Sequence, residues 1–400
     1  MATVTINKIA LLQICARVAA AAFVTPARLT INGTSLFEPS GSAIRLQGFN
    51  WQLGRTTTAD GALMKKLIPE ANVARLVGIF WDNSDPKSGH PTSDCMTQTP
   101  PHYFDDSCFK TLDPWVKTAT DAGLWVILAV RSQVGAGQYF DTDPGSCVFH
   151  NTTLKNMLFA AWTHIAQHYA SFDNIAAYEI LSEPRDKTIS SQAVRDFYQG
   201  GCLAARAGDP TAPCMIGNAP YYKLWKFKAN QVGLLDKTIP VIYTFDYFTP
   251  DNFVFGKSSV PVYGKQYKCK ELADGWVDAA CPNKDGDAMQ ALDKNWTRTQ
   301  FVEFAIATQQ QLNAPVFINQ WEAVHGITST NSTSGALQYV EDVASLAQEY
   351  NLGWAWWTWA GGNSAGWSHG SSEIVFRFGN GTEMYDTEVL NALQKYMKNL

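Results

Sequence analysis

The sequence predicts an α/β protein: one (β/α)8 TIM barrel in a single domain, with long loops after the second and sixth strands. Three observations predict it: eight short apolar runs, helix-period segments between them, and no linker, repeat or low-complexity stretch that divides the chain. The runs cover residues 45–51, 72–80, 124–130, 174–181, 213–218, 240–245, 315–320 and 353–359. In the segment 153–170, Leu154, Met157, Leu158, Ala161, Ile165 and Tyr169 share one helical face. A closing helix is expected over 386–399. The insertions 82–113 and 249–295 each follow a strand, so both should rise on the face where such barrels carry their chemistry.

With 46% apolar and 17% charged residues, the chain can bury a large core and is too apolar to be disordered. Its net charge of -5, with no long Lys/Arg run, offers no field to a phosphate backbone, which argues against nucleic acid. The 14 Trp exceed what a core needs and suit a neutral partner with flat apolar faces.

Residues 1–27 read as a signal peptide, with Lys8, an apolar middle interrupted by Arg17, and small residues around Thr25-Pro-Ala27. The mature domain, 28–400, is then expected to be secreted. No other run is long enough to span a membrane. Cys95 and Cys108, Cys202 and Cys214, and Cys269 and Cys281 are spaced as local disulfide staples; once Cys15 departs, Cys147 is the odd one, either free or exchanged into one of these pairs. Asn32, Asn151, Asn295, Asn331 and Asn380 head glycosylation triplets. The His and Cys spacing matches no zinc site, and no cofactor is expected.

Glu183 and Glu322 carry the most information. Each lies at the end of an apolar run, where a strand meets a loop, the position at which a (β/α)8 barrel keeps its reactive groups. Two carboxyls there suit cleavage of an acetal, which needs a proton for the leaving oxygen and a negative charge beside an oxocarbenium-like centre. A separation of about 5 Å would favour direct attack and retention, and about 6.5–9.5 Å would admit a water and inversion.

Five stretches then resemble glycoside hydrolase family 5, the cellulase family. They are Gly48-Phe-Asn-Trp51, Val73-Ala-Arg-Leu76, Tyr178-Glu-Ile-Leu-Ser-Glu-Pro184, Asn319-Gln-Trp-Glu322 and Gly353-Trp-Ala-Trp-Trp-Thr-Trp359, in order at the first, second, fourth, seventh and eighth strands. The resemblance implies retention, with Glu183 as acid/base and Glu322 as nucleophile. It also implies that Arg75 orients the nucleophile and that Trp357 lies under the sugar. Trp359 shares the face of Trp357 if alternation holds. Trp51 and Tyr222 at strand ends, and His325 behind the nucleophile, are further candidates for substrate contact.

The sequence departs from the family at three places. Ser182 stands where Asn normally precedes the acid/base, and its hydroxyl cannot make the same two-point contact to a sugar. Arg131 and Asp246 stand where the third and sixth strands normally carry His, with Tyr247 following Asp246 directly. A third carboxylate needs a compensating cation, so Arg131 and Asp246 are expected to pair. The sequence therefore predicts a monomeric retaining β-glycosidase acting on a β-linked polysaccharide or oligosaccharide, first a β-glucan in endo fashion. β-Mannan, β-1,3-glucan, glycosylceramides or small glucosides come next, and a carbohydrate-binding barrel without turnover is the alternative. A metal-dependent isomerase or a Lys-dependent aldolase lacks the residues it would need.

Overall fold

The computed structural model describes residues 26–52, 55–79, 95–97, 99–131, 148–184, 186–256, 261–272, 287–324, 335–362, 372–377 and 381–397. The signal segment up to residue 25, Cys147, Cys281, His325, Asn331 and Asn380 lie outside the described residues.

Eight parallel strands close into a barrel: β1 (Gln47–Gln52), β2 (Val73–Ile79), β3 (Trp125–Val130), β4 (Ile175–Glu179), β5 (Cys214–Ile216), β6 (Val241–Tyr247), β7 (Val316–Trp321) and β8 (Gly353–Trp356). All eight expected strands form, in chain order around the ring, and β8 closes on β1. Gly48 is required where β1 meets β2, because a Cβ there would lie 1.9 Å from the Val73 carbonyl oxygen.

Helices α1 (Asp60–Leu67), α2 (Phe109–Asp121), α3 (Thr152–Tyr169), α4 (Ser191–Gly208), α5 (Lys294–Gln300), α6 (Ala336–Glu349) and α7 (Thr387–Gln394) belong to the outer layer. The α3 helix starts where Asn151 accepts hydrogen bonds from the backbone N–H groups of Thr153 and Leu154, and it buries Leu158, Ala161, Ile165 and Tyr169 as its periodicity requires. The expected closing helix is shorter, because α7 ends at Gln394.

The side-chain period of two sorts the strands into a helix-facing layer and a lumen. Val73, Ile127, Ala177, Ile242, Phe317 and Ala355 form a second apolar cluster inside the barrel. Leu36 and Ile44 join it from a small antiparallel sheet (Thr30–Asn32, Ser35–Phe37, Ala43–Ile44) that the apolar pattern did not reveal. Their helix-facing neighbours Ala74, Val126, Tyr178, Tyr243 and Ile318 belong to the main core.

One irregularity matters for function. The register of β7 against β6 slips between Ile318 and Gln320. Plain alternation from lumen-facing Phe317 would turn Glu322 toward the helices. The extra residue of a bulge reverses the parity, so Trp321 packs outward between Trp354 and Trp356 while Glu322 borders a cavity.

Two cysteine expectations are settled among the described residues. Cys95 and Cys108 are disulfide-bonded, and Cys269 is disulfide-bonded too. Cys202 and Cys214, expected as a staple, are instead buried free thiols. They lie on regular elements, α4 and the start of β5, rather than in loops, and burial pushes the Cys202 thiol well above its ordinary range.

Candidate active site

Four strands contribute a polar layer above the apolar lumen. Arg75 of β2 makes a two-pronged ion pair with Glu179 of β4, Nε to Oε2 at 2.6 Å and Nη2 to Oε1 at 2.9 Å. Its Nη1 donates to Asn50 Oδ1 of β1 at 2.7 Å, and Asn319 of β7 donates to Glu179 Oε1 at 3.0 Å. All four side chains are fully buried. Burial opposes the charge on Arg75, but the adjacent Glu179 carboxylate more than offsets it, and the guanidinium holds its proton more tightly than usual. The resemblance implies that Arg75 orients the nucleophile, and an ion pair that holds its buried charge is compatible with that role. Its ion pair is with Glu179, because both leave the lumen face of their strands at one level. Through Nη2 it also donates to Ser182 Oγ at 2.7 Å, so it braces the turn that carries Glu183.

Glu183 lies four residues beyond β4 with φ of 48°, a left-handed conformation that costs a non-glycine residue about 1–3 kcal/mol. Three neighbours crowd its carboxyl. Arg131, just past β3, meets Oε2 at 2.5 Å, and Gln320 of β7 donates to Oε1 at 2.9 Å. Asp246 of β6 shares the Gln320 amide with it, accepting at 3.1 Å. Arg131 makes its direct ion pair with Glu183, and its charge also acts on Asp246, as the expected charge compensation requires.

Glu322 stands in a different environment. It is 6% exposed, and the Ser372 hydroxyl donates to its Oε2. Burial pushes its carboxyl up to about 8, with the Ser372 hydrogen bond opposing and the Glu373 charge adding.

Both glutamates border one cavity of about 310 Å³, together with Arg131, Gln320, Trp357 and Ser372. Gln320, two residues before Glu322, ties the two carboxyl segments together by its bond to Glu183. Arg55 and Glu373 line the same cavity, as do Tyr221 and Lys223.

The remaining expected contacts separate by parity. Trp51 and Tyr247 neighbour the lumen-facing Asn50 and Asp246, so they face the helices. Both are fully buried, and Tyr247 packs on Phe301 at 4.9 Å. Tyr222 is buried and donates to the Leu181 carbonyl at 2.5 Å, which supports the Glu183 turn. Trp359 is buried against Phe49, its Nε1 donating to Asp60 at 2.8 Å. The strand ends at Trp356, so alternation does not carry from Trp357 to Trp359. These four rings present no face to a sugar. Ser182 is buried, its hydroxyl taken by Arg75 and, at 3.3 Å, by Arg131. Asp246 is buried behind Glu183. Arg131 and Trp357 remain as direct lining residues.

Sequence reasoning missed Asn50, Glu179, Asn319, Gln320 and Ser372. Glu179 could have been found: it is a carboxyl inside an apolar strand, at even spacing from lumen-facing Ala177. Gln320 depends on the bulge, and Ser372 on a segment far from any strand motif.

Two carboxyl groups beside one cavity in a parallel (β/α)8 barrel, above a buried Arg–Glu layer, suit the glycoside-hydrolase class of site. The family model "Cellulase (glycosyl hydrolase family 5)" matches residues 37–363, and the chain belongs to that family. Solved structures with the same fold include Thermotoga maritima Cel5A in complex with cellobiose, at 15% identity and TM-score 0.60, covering 87% of this chain and 96% of that one. The same enzyme in complex with mannotriose gives 16% identity and TM-score 0.61, with 88% and 97% covered. The cellulose synthase subunit Z (CcsZ) of Clostridioides difficile gives 17% identity and TM-score 0.60, with 87% and 99% covered. No curated protein matched the sequence. No described helix is long and apolar enough to cross a membrane.

Proposed function

We propose that the protein is a secreted, monomeric endo-β-glucanase that hydrolyses a β-linked glucan with retention of configuration. The observation that carries the reading is the placement of Glu183 and Glu322 on one cavity in unlike surroundings. Glu183 donates a proton to the leaving oxygen while the Glu322 carboxylate attacks the anomeric carbon, forming a glycosyl ester. Glu183 then takes a proton from water as the water displaces Glu322. A carboxylate whose charge is opposed by burial gains most when positive charge develops beside it, so the environment of Glu322 favours the oxocarbenium-like transition state over the resting enzyme. Trp357, half-buried at the cavity wall, supplies an apolar face for the sugar.

The test is to incubate the protein and its Glu322→Gln variant with β-1,4-glucan, β-mannan and β-1,3-glucan oligosaccharides. Product is followed by reducing ends and by proton NMR of the anomer first released. The expected result is β-anomer from β-1,4-glucan with the unaltered protein alone. Binding of a polysaccharide with no turnover by either protein would replace the hydrolase by a carbohydrate-binding barrel.

A further inference from the structure

Asp246 is a buried acid beside the cavity that the two-glutamate reaction leaves unused. It points into the lumen from β6, 2% exposed, and its backbone N–H is fixed by the Tyr222 carbonyl at 2.8 Å. One amide joins it to Glu183: Gln320 Nε2 donates to Asp246 Oδ2 at 3.1 Å and to Glu183 Oε1 at 2.9 Å. The shared amide holds the two carboxyls side by side, and Asp246 is buried. Two buried carboxyls on one donor carry a single negative charge and one proton at lower cost than two charges. Arg131 decides where that proton rests. Its guanidinium lies 2.5 Å from Glu183 Oε2, which favours the anion on Glu183 and leaves the proton to Asp246.

We propose that Glu183 and Asp246 hold a single proton between them, stored on Asp246 in the resting enzyme and passed to Glu183 when the leaving oxygen requires it. The inference rests on the two-glutamate reading above and names the source of its acid. In the first step the C–O bond to the leaving group breaks as Glu322 bonds to the anomeric carbon. Glu183 draws the stored proton from Asp246 and gives it to the leaving oxygen, which leaves both members of the pair ionised. In the second step the proton of the attacking water returns through Glu183 to the pair. Charges and protons balance over the cycle.

The groups facing Asp246 fit this storage. Burial, then the charge of Glu183 and its hydrogen bond, hold the Asp246 carboxyl well above the usual carboxylate range, while Arg75 and Arg131 pull the other way. Tyr222 and Tyr198 complete the surroundings from the loop after β5 and from α4. The pairing also explains two sequence departures together. An arginine at position 131 alone would leave Glu183 an anion and a poor acid, and an acid at 246 restores the proton.

Two readouts test it. The first is the infrared carbonyl stretch of protonated carboxyls at about pH 7 in Glu322→Gln and in Glu322→Gln/Asp246→Asn. A band present in the single variant and lost in the double one is expected. A band that is absent, or that survives Asp246→Asn, overturns the proposal.

The second compares the unaltered protein with Asp246→Asn on cellotetraose, whose leaving group needs a proton, and on 2,4-dinitrophenyl β-cellobioside, whose leaving group does not. kcat/KM should fall at least about tenfold on the first and less than about threefold on the second, with the alkaline limb moved to lower pH. Equal losses on both substrates mark a merely structural residue and overturn it. Should Asp246→Asn fail to fold, Arg131→Gln should move the alkaline limb to higher pH, and an unmoved limb overturns the proposal. If the infrared band behaves as expected while the unaltered protein cleaves neither substrate, the two-glutamate reading falls and the shared proton stands.

Discussion

Around Glu183 the barrel gathers a guanidinium, an amide and a second carboxyl, whereas around Glu322 it supplies a serine hydroxyl and burial. The first carboxyl is governed by neighbouring charges, the second by desolvation. A charge-governed group answers to its partners and can trade a proton with them. A desolvation-governed group is relieved when a positive charge develops beside it, which in the proposed reaction the sugar brings. Two carboxyls of one chemistry thus suit unlike tasks because of what surrounds them.

The largest expected effect comes from removing the desolvated member. Glu322→Gln should lower turnover by several orders of magnitude, read as reducing ends released from a β-1,4-glucan. The same change should stabilise the fold, in a pH-dependent way. The folded carboxyl titrates near 8 against an ordinary 4.5. Between those values the unfolded chain sheds the proton and the folded chain keeps it. Stability from this group is therefore full below pH 4.5 and is lost as pH rises through 8. Thermal melts of the two proteins should coincide near the lower pH and separate toward the higher, with Glu322→Gln the more stable.

Next in size is the layer beneath both groups. Arg75→Met leaves Glu179 buried without its cation and should cost about 3–5 kcal/mol in urea unfolding. An unchanged midpoint would mean that Glu179 takes up a proton at little cost.

A smaller effect separates the two tryptophans that follow β8. Trp357→Ala should raise KM about tenfold at nearly constant stability. Trp359→Phe should leave KM unchanged and lower the melting temperature, because it breaks the bond to Asp60.

The smallest effect sharpens the comparison at Glu322 itself. Ser372→Ala removes a hydrogen bond that favours the anion, so the acidic limb of kcat/KM, expected near pH 8 from Glu322, should move upward by roughly half a unit or more. A downward move would show that Ser372 does not serve the charged form.

Much of this site was legible in the sequence because strand parity and strand order are written there. The eight runs, the two glutamates at strand ends and Arg75 inside β2 follow from period and position alone. Parity would also have turned Trp51 and Tyr247 toward the helices, since each adjoins a polar lumen residue. What could not be read depends on backbone irregularity. The slip in β7 sets Gln320 beside Glu183 and turns Glu322 inward, and no residue type announces it. The end of β8 at Trp356 parts Trp357 from Trp359 in the same way. The partner of Arg131 depended on which carboxyl lay nearer its guanidinium, a distance that composition does not carry.

The most direct measurement is to expose the protein to 2-deoxy-2-fluoro-β-cellobiosyl fluoride, which slows release of a glycosyl ester, and to locate the added mass by peptide mapping. The account expects one label, on Glu322, with loss of activity in proportion. A label on Glu183, or steady turnover of β-1,4-glucan with no label at all, would contradict it.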